Sequence, residues 1–206
     1  MMRADGGMDA CRKSDWYSDA PEYGLHGKWP PEIRMSGLKH LSGACAGKSV
    51  LDLGAAEGLI ARRFLQQGAA LVHGFDIVPG RVAAARRICG DFPNGAFWQA
   101  DLSDWGSFRA ACAGHLLARY DIVLYLGLHH HLSPTARGST LAGAAAMSGD
   151  AFALRTPDAC YGDDGVAGKL HGQGFQLAEE DRTDAGRALG PLRIFRRSEA
   201  STDPRR

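Results

Sequence analysis

Val50-Leu51-Asp52-Leu53-Gly54-Ala55-Ala56-Glu57-Gly58-Leu59-Ile60-Ala61-Arg62-Arg63-Phe64-Leu65 is the stretch around which the chain is organised. It opens with an apolar run of strand character, passes through a short glycine-bearing turn and ends in an amphipathic helix. Such a turn lets the backbone approach a ligand closely and aims helix N–H groups at it. Ile60 and Phe64 lie four apart on one face with Leu65 beside them, while Arg62, Arg63, Gln66 and Gln67 fall on the outer face. Gly68 is a natural stop. The spacing predicts a strand over Ser49–Leu53 and a helix from about Glu57 to Gln67.

The same strand–turn–helix unit repeats downstream. Strands are expected at Ala70–Phe75, Ala96–Gln99, Asp121–Leu126 and Ala151–Leu154, and two final ones at Phe175–Ala178 and Leu192–Arg196. Between them, Pro79 starts a helix that Gly90 ends, with Val82, Ala85 and Ile88 or Cys89 inside. Ser103 or Asp104 caps a helix reaching about Ala118, whose core stripe is Trp105, Phe108, Cys112 and Leu116. Ser133-Pro134 opens an alanine-rich helix to about Met147. Asp164–Gln173 reads as a weak helix, lowered in propensity by Gly165, Gly168 and Gly172. The nearly all-apolar run Ile122–Leu126 suits a central strand covered on both faces. Alternation of this kind gives a doubly wound α/β fold, a mostly parallel sheet with helices on both faces.

Upstream, residues 1–47 form an N-terminal extension, residues 48–198 the binding domain and residues 199–206 a disordered tail. Met1 to Ser14 are polar and read as frayed. Trp16 to Pro31 is rich in aromatics and turn residues, a composition suited to a cap over a pocket. Trp16 and Trp29 there either plug the domain's apolar edge or line a site. A helix is expected over Glu32–Leu41, with Ile33, Leu38 and Leu41 inside and Gly43 as its stop.

The 206 residues carry 45% hydrophobic and 23% charged side chains and a formal net charge of +1, which gives no sign of a nucleic-acid-coating surface. Cys11, Cys45, Cys89, Cys112 and Cys160 are scattered without a CxxC pair, so reduced thiols in a cytoplasmic protein are expected and no zinc site. No stretch is apolar enough to span a bilayer, and no secretory signal is evident.

In sheets of this class, ligands bind beyond the carboxyl ends of the strands, near the point where strand order reverses. The residues that follow the strands are Gly54 to Gly58, then Asp76, then Asp101, then Gly127-Leu128-His129-His130-His131. Asp76 lies about twenty residues past the turn, where an acid accepts hydrogen bonds from a ribose diol. Asp101 is placed to accept from an exocyclic amine such as that of adenine. The glycines are spaced Gly54-x-x-x-Gly58 instead of the dinucleotide GxGxxG, and Glu57 at the helix start would repel a pyrophosphate. The same glutamate would tolerate a cofactor that presents an ammonium.

Asp52-Leu53-Gly54-Ala55-Ala56-Glu57-Gly58 resembles motif I of the class I S-adenosylmethionine-dependent methyltransferases, DxGxGxG, with Ala56 in place of the middle glycine. Gly74-Phe75-Asp76 is similar to the family's acidic motif, Gln99-Ala100-Asp101 to its adenine motif and Tyr120-Asp121-Ile122-Val123-Leu124 to its fourth-strand motif. The resemblance spans about residues 48–197. It implies a Rossmann-like seven-stranded sheet whose last strand is antiparallel, and S-adenosyl-L-methionine held by Asp52, Gly54, Ala55, Ala56, Glu57, Gly58, Asp76, Ile77, Asp101, Leu102 and Leu126. The segment Gly127–Pro134 is similar to one in a subgroup that includes the transferases modifying the tRNA wobble uridine. On that pattern His130 and His131 are the candidates for a base or a substrate-positioning group. Three adjacent histidines diverge and do not have metal-ligand spacing, so no metal is expected.

The acceptor, a small molecule or a tRNA base, is not legible, nor is the oligomeric state. Arg34, Arg155 and Lys169 are available to an anionic acceptor, although each also reads as a solvated surface residue. Competing readings are an NAD-dependent oxidoreductase, disfavoured by the missing GxGxxG, and a non-catalytic S-adenosylmethionine-binding protein. A hydrolase lacks its GxSxG elbow.

Overall fold

The computed structural model describes residues 16–183 and 189–198. The expected frayed start and the 199–206 tail lie outside the described residues. The main sheet contains β3 (Ser49–Leu53), β4 (Leu71–Asp76), β5 (Gly95–Gln99), β6 (Tyr120–Leu126), β7 (Ser148–Arg155), β8 (Phe175–Asp181) and β9 (Leu192–Arg197). Their order is β5-β4-β3-β6-β7-β9-β8, parallel from β5 to β7, with β9 antiparallel to both β7 and β8. The chain steps outward from β3 to β5 and then returns to the other side of β3 at β6. The reversal point between β3 and β6 opens the crevice that α/β sheets use for ligands.

Period-two alternation along β3 divides the core. Val50 faces a cluster with Ile60, Phe64, Val82, Ile88, Ile122 and Leu124, under α3 (Leu59–Gln66) and α4 (Pro79–Ile88). Leu51 and Leu53 face the opposite cluster with Phe75, Phe108, Val123, Phe152 and Leu141, under α5 (Trp105–Ala111) and α6 (Pro134–Ala146). Phe64 and Phe152 are completely buried, each contributing about 1.5–3 kcal/mol of transfer free energy. Arg62, expected on the outer face, is half-buried, its guanidinium bonded to the Ile88 carbonyl.

Several elements depart from the sequence expectations. The helix expected over 32–41 is two short helices, α1 (Pro31–Met35) and α2 (Lys39–Gly43). Ser36 leaves the helical region with ψ 133 and Gly37 takes φ +75, which breaks the helix between them. The weak helix expected over 164–173 is present as α8 (Val166–His171); an additional short helix, α7 (Asp158–Asp163), precedes it and is separated from it by Gly165 at φ +58. The helix capped by Asp104 ends at Ala111 and continues as a 3-10 turn through His115. Strand pairing extends β7 and β8 beyond their apolar runs.

The N-terminal segment forms a small hairpin, β1 (Asp19–Ala20) with β2 (Leu25–His26), next to a bridge between Ser18 and Trp29. Ala20, Leu25, Leu38 and Leu41 join the α3/α4 side of the core, with Trp16 packed against it. The segment is thus a cap seated on one face of the sheet.

Candidate active site

A cavity of about 540 Å³ opens at the carboxyl ends of β3, β4, β5 and β6. Gly54 and Ala56 form its floor. Asp76, Ile77 and Arg81 contribute from the β4–α4 turn, Ala100 to Ser103 from beyond β5, and Leu126 to Leu128 with His131 and Leu132 from beyond β6. Tyr17 and Arg34 close it from the cap.

The floor is a tight turn held against β4, because the Gly54 and Ala55 N–H groups both donate to the Phe75 carbonyl at 2.9 Å. Gly54 takes φ +80, and Ala56 takes φ 49, the only positive φ of a non-glycine residue among the described residues. Left-handed alanine costs about 1–2 kcal/mol, which the surrounding hydrogen bonds must hold in place. One of these comes from Asp76, whose Oδ2 accepts the Ala56 N–H and whose Oδ1 accepts the Val78 N–H, each at 2.9 Å. An ionised carboxylate has about four acceptor sites, so each oxygen retains capacity for a ligand hydroxyl. Asp101 is exposed at the other end, with Oδ1 accepting the Ser103 N–H at 2.8 Å.

Of the residues predicted for the site, Gly54, Ala56, Asp76, Ile77, Asp101, Leu102, Leu126 and His131 line the cavity. Asp52, Ala55, Glu57, Gly58 and His130 do not. Ala55 turns into the core, close to Gly74. Gly58 caps α3 at φ +77, and a Cβ there would lie 2.8 Å from the Ala85 Cβ, so its role is the close approach of α3 and α4. Asp52 shares the Val50 face, where burial raises its carboxyl to about 7 although Arg34 pulls it down; its Oδ2 has no hydrogen-bond partner.

Glu57 departs furthest from the reading that it faces a ligand's ammonium. It is fully buried beneath the cap. Its Oε1 accepts the Tyr17 N–H at 2.5 Å and its Oε2 the Ser18 hydroxyl at 2.7 Å, with Arg34 Nη1 at 3.5 Å and Arg81 Nε at 3.8 Å. A carboxylate removed from water must be paired, and the cap supplies the partners. Arg34 and Arg155, also readable as solvated, are both buried. Of the cap aromatics, Tyr17 lines the cavity and the two tryptophans do not. Arg34 is among the cations the sequence offers to an anionic acceptor and Tyr17 lies in the expected cap, but Arg81 is not singled out, and the meeting of Ser18, Arg34 and Glu57 arises only through the tertiary fold.

The three histidines occupy a 3-10 turn and have three environments. His129 is buried, with Nε2 at 2.9 Å from Asp164 Oδ2 and Nδ1 at 3.4 Å from the Tyr125 hydroxyl. Burial lowers its proton affinity more than Asp164 restores it. His130 is driven down to about 4 by burial and then by the neighbouring charge of His131, and its ring lies 4.1 Å from that of His131. Only His131 reaches the cavity, at its rim. No group of three or more metal-type side chains gathers among the described residues. No helix among them is long and apolar enough to cross a membrane.

Residues 50–148 match the model of a family described as a methyltransferase domain. Among curated proteins no sequence matches the chain. The solved structures it resembles include magnesium protoporphyrin IX methyltransferase from Synechocystis PCC 6803 with bound S-adenosylhomocysteine, 19% identical over 82% of each chain with a TM-score of 0.61. The N-methyltransferase NodS from Bradyrhizobium japonicum WM9 is 15% identical over 81% of this chain and 95% of its own, with a TM-score of 0.62. The 1,6-didemethyltoxoflavin-N1-methyltransferase of Burkholderia thailandensis is 20% identical over 80% and 79%, with a TM-score of 0.55. Strand order and these likenesses identify the fold as the Rossmann-like methyltransferase fold, as the sequence motifs imply.

Proposed function

We propose that this chain, whose residues 50–148 match a methyltransferase domain, transfers a methyl group from S-adenosyl-L-methionine to a small molecule or an RNA base. The observation that carries the reading is one cavity bounded by Gly54, Asp76, Asp101 and Leu126 at the sheet's reversal point. The residues present fit the cofactor. Asp76 keeps acceptor capacity for a ribose diol, and Asp101 offers Oδ2 to an adenine amine. Gly54 has no Cβ between the floor and the cavity. A Cβ on Gly127, at φ +69, would come 3.6 Å from the Tyr17 hydroxyl.

When bound, the cofactor supplies an already activated methyl on sulfonium sulfur. The protein's part is to orient an acceptor, exclude water and accept a proton. Positioning contributes up to about 7–11 kcal/mol and a well-placed base about 10²–10⁴-fold. Tyr17 and the cap close the cavity from one side, and Leu128 and Leu132 supply apolar wall on the other. His131 is the base or acceptor-positioning group in this reading; His130 supports its ring from outside the cavity. The acceptor classes are those of the fold neighbours, which include small-molecule methyltransferases and a putative RNA methyltransferase from Pyrococcus horikoshii. The Gly127–Pro134 resemblance to the wobble-uridine subgroup keeps tRNA among them. Free Cys45, Cys89, Cys112 and Cys160 fit a cytoplasmic setting.

Thermal shift with S-adenosylhomocysteine and NAD tests the cofactor. A ligand at 100 times its Kd stabilises by about 2.7 kcal/mol. Stabilisation by NAD alone would overturn the proposal. Transfer of radiolabelled methyl to small-molecule pools or to tRNA then separates an enzyme from a binding protein.

A further inference from the structure

We infer that Asp164 is a positioning residue of the acceptor wall: through His129 and Arg137 it fixes the turn that carries His131 and Leu132 to the cavity. Assigning that wall to an acceptor rests on the methyltransferase reading; the clasp rests on the geometry of the turn alone.

Asp164 caps the end of α7, with its N–H on the Cys160 carbonyl. It belongs to the sheet face opposite the cap, where Val166 and Leu170 of α8 join the cluster around Leu51. Its Oδ2 accepts from His129 Nε2 at 2.9 Å and from Arg137 Nη1 at 3.3 Å. Arg137 also donates Nε to the Leu132 carbonyl at 3.2 Å. Both ends of the 129–132 turn are therefore fastened to one carboxylate oxygen, His129 directly and Leu132 through Arg137. Hydrogen bonds to an ionised partner are about twice as strong as neutral ones. With Nε2 donating to Asp164, the His129 Nδ1 is left to accept the Tyr125 hydroxyl at 3.4 Å. The ring is completely buried, so rotating it would strand both nitrogens.

The turn needs this support. A 3-10 turn makes few and poorly aligned bonds of its own. Here they run from the His131 N–H to the Leu128 carbonyl at 3.0 Å and from the Leu132 N–H to the His129 carbonyl at 3.2 Å. His131 and Leu132 line the cavity, whereas His129, Arg137 and Asp164 do not. Asp164 thus stands outside the cavity and acts only by placing residues inside it. A misplacement of about 1 Å at a reacting group costs about 10²-fold in rate.

Amide hydrogen exchange, histidine ring NMR and titration with S-adenosylhomocysteine, applied to the wild-type protein, Asp164→Ala and Asp164→Asn, decide. Asp164 has right-handed helical backbone angles, which alanine and asparagine adopt without strain. In Asp164→Ala, exchange at His131 and Leu132 should accelerate about 10–100-fold beyond any change in β3, and the His131 ring signal should shift. Asp164→Asn keeps an oxygen for the His129 N–H; it should return exchange to within about threefold of wild type and restore the ring signal. S-adenosylhomocysteine affinity should stay within about threefold throughout, because Asp76 and Asp101 stand beyond other strands.

Unchanged exchange and an unchanged His131 signal in Asp164→Ala would overturn the inference. So would loosening no greater than that of β3, which marks a merely structural residue, or failure of asparagine to rescue. A larger loss of S-adenosylhomocysteine affinity in a folded variant would overturn it too, since the clasp would then serve the cofactor. If Asp164→Ala does not fold by circular dichroism, Arg137→Met takes its place, with Arg137→Lys as the rescue. That substitution removes the Leu132 bond and leaves His129 on Asp164, and it is read by the same comparisons. Wild-type protein that does not bind S-adenosylhomocysteine would sink the methyltransferase reading, and the exchange comparison would still decide the clasp.

Discussion

Replacing Asp76 with alanine should weaken S-adenosylhomocysteine about 100-fold. Each carboxylate oxygen already accepts one backbone N–H at 2.9 Å, from Ala56 and Val78, and the residue is only 6% exposed. The remaining acceptor capacity faces the cavity. A hydrogen bond to a charged acceptor contributes about 1.5–3 kcal/mol, and hydroxyls that lose it regain water only in part. Two such bonds amount to about 3 kcal/mol, or two decades in Kd. Alanine also strands the Ala56 and Val78 N–H groups, so the left-handed Ala56 loses one of its restraints and thermal stability falls as well. Titration calorimetry with S-adenosylhomocysteine and its 2′-deoxy counterpart separates the two effects. The missing hydroxyl should cost the wild-type protein about tenfold and the variant almost nothing. Affinity within threefold of wild type, or equal sensitivity to the 2′-hydroxyl in both proteins, would refute the ribose assignment.

Glu57→Gln removes the charge that Arg34, Arg81, Tyr17 and Ser18 converge on; unfolding should be easier by about 3 kcal/mol, read as a fall in Tm of about 6–12 °C, with faster hydrogen exchange over residues 17–34. Asp52 has a folded value of about 7, above its ordinary 3.8, so the folded state holds the extra proton. Its stabilising contribution is complete below about pH 4 and is lost as pH rises to about 7; wild-type stability in denaturant titrations should decline between about pH 4 and 7, and Asp52→Asn should flatten that decline. His130, held at about 4, should remain neutral down to pH 5 by NMR, and a midpoint above 6 would contradict the burial that sets it. Gly58→Ala combines a left-handed φ with a clash at Ala85, so a cost of about 2–4 kcal/mol is expected in chemical denaturation, with wild-type stability as the contrary result.

The sheet was legible because its strands are short apolar runs that end in glycine or aspartate, and helices α3, α4 and α6 carry clear stops and caps. The cavity's acids were legible for the same reason: Asp76 and Asp101 follow strands, and strand ends face the crevice. The motif I resemblance implied cofactor contacts for every residue of the turn, whereas Asp52 and Ala55 are buried and do not line the cavity. Glu57 shows a different limit. Its position at a helix start suggested a ligand contact, whereas its partners are supplied by residues some forty positions earlier. The two-helix break at Ser36–Gly37 followed from backbone geometry that an apolar stripe at Ile33, Leu38 and Leu41 does not reveal.

Glu57 sits one residue after Ala56 on the cavity floor, and the cap is fastened to it from above. The lid and the floor are therefore one mechanical piece. A chimera that imports another cap to change acceptor preference must bring a serine and an arginine in register with Glu57, or replace all three together. Grafts that respect only the hairpin's outline would leave a bare carboxylate under the new lid and loosen the turn beneath it.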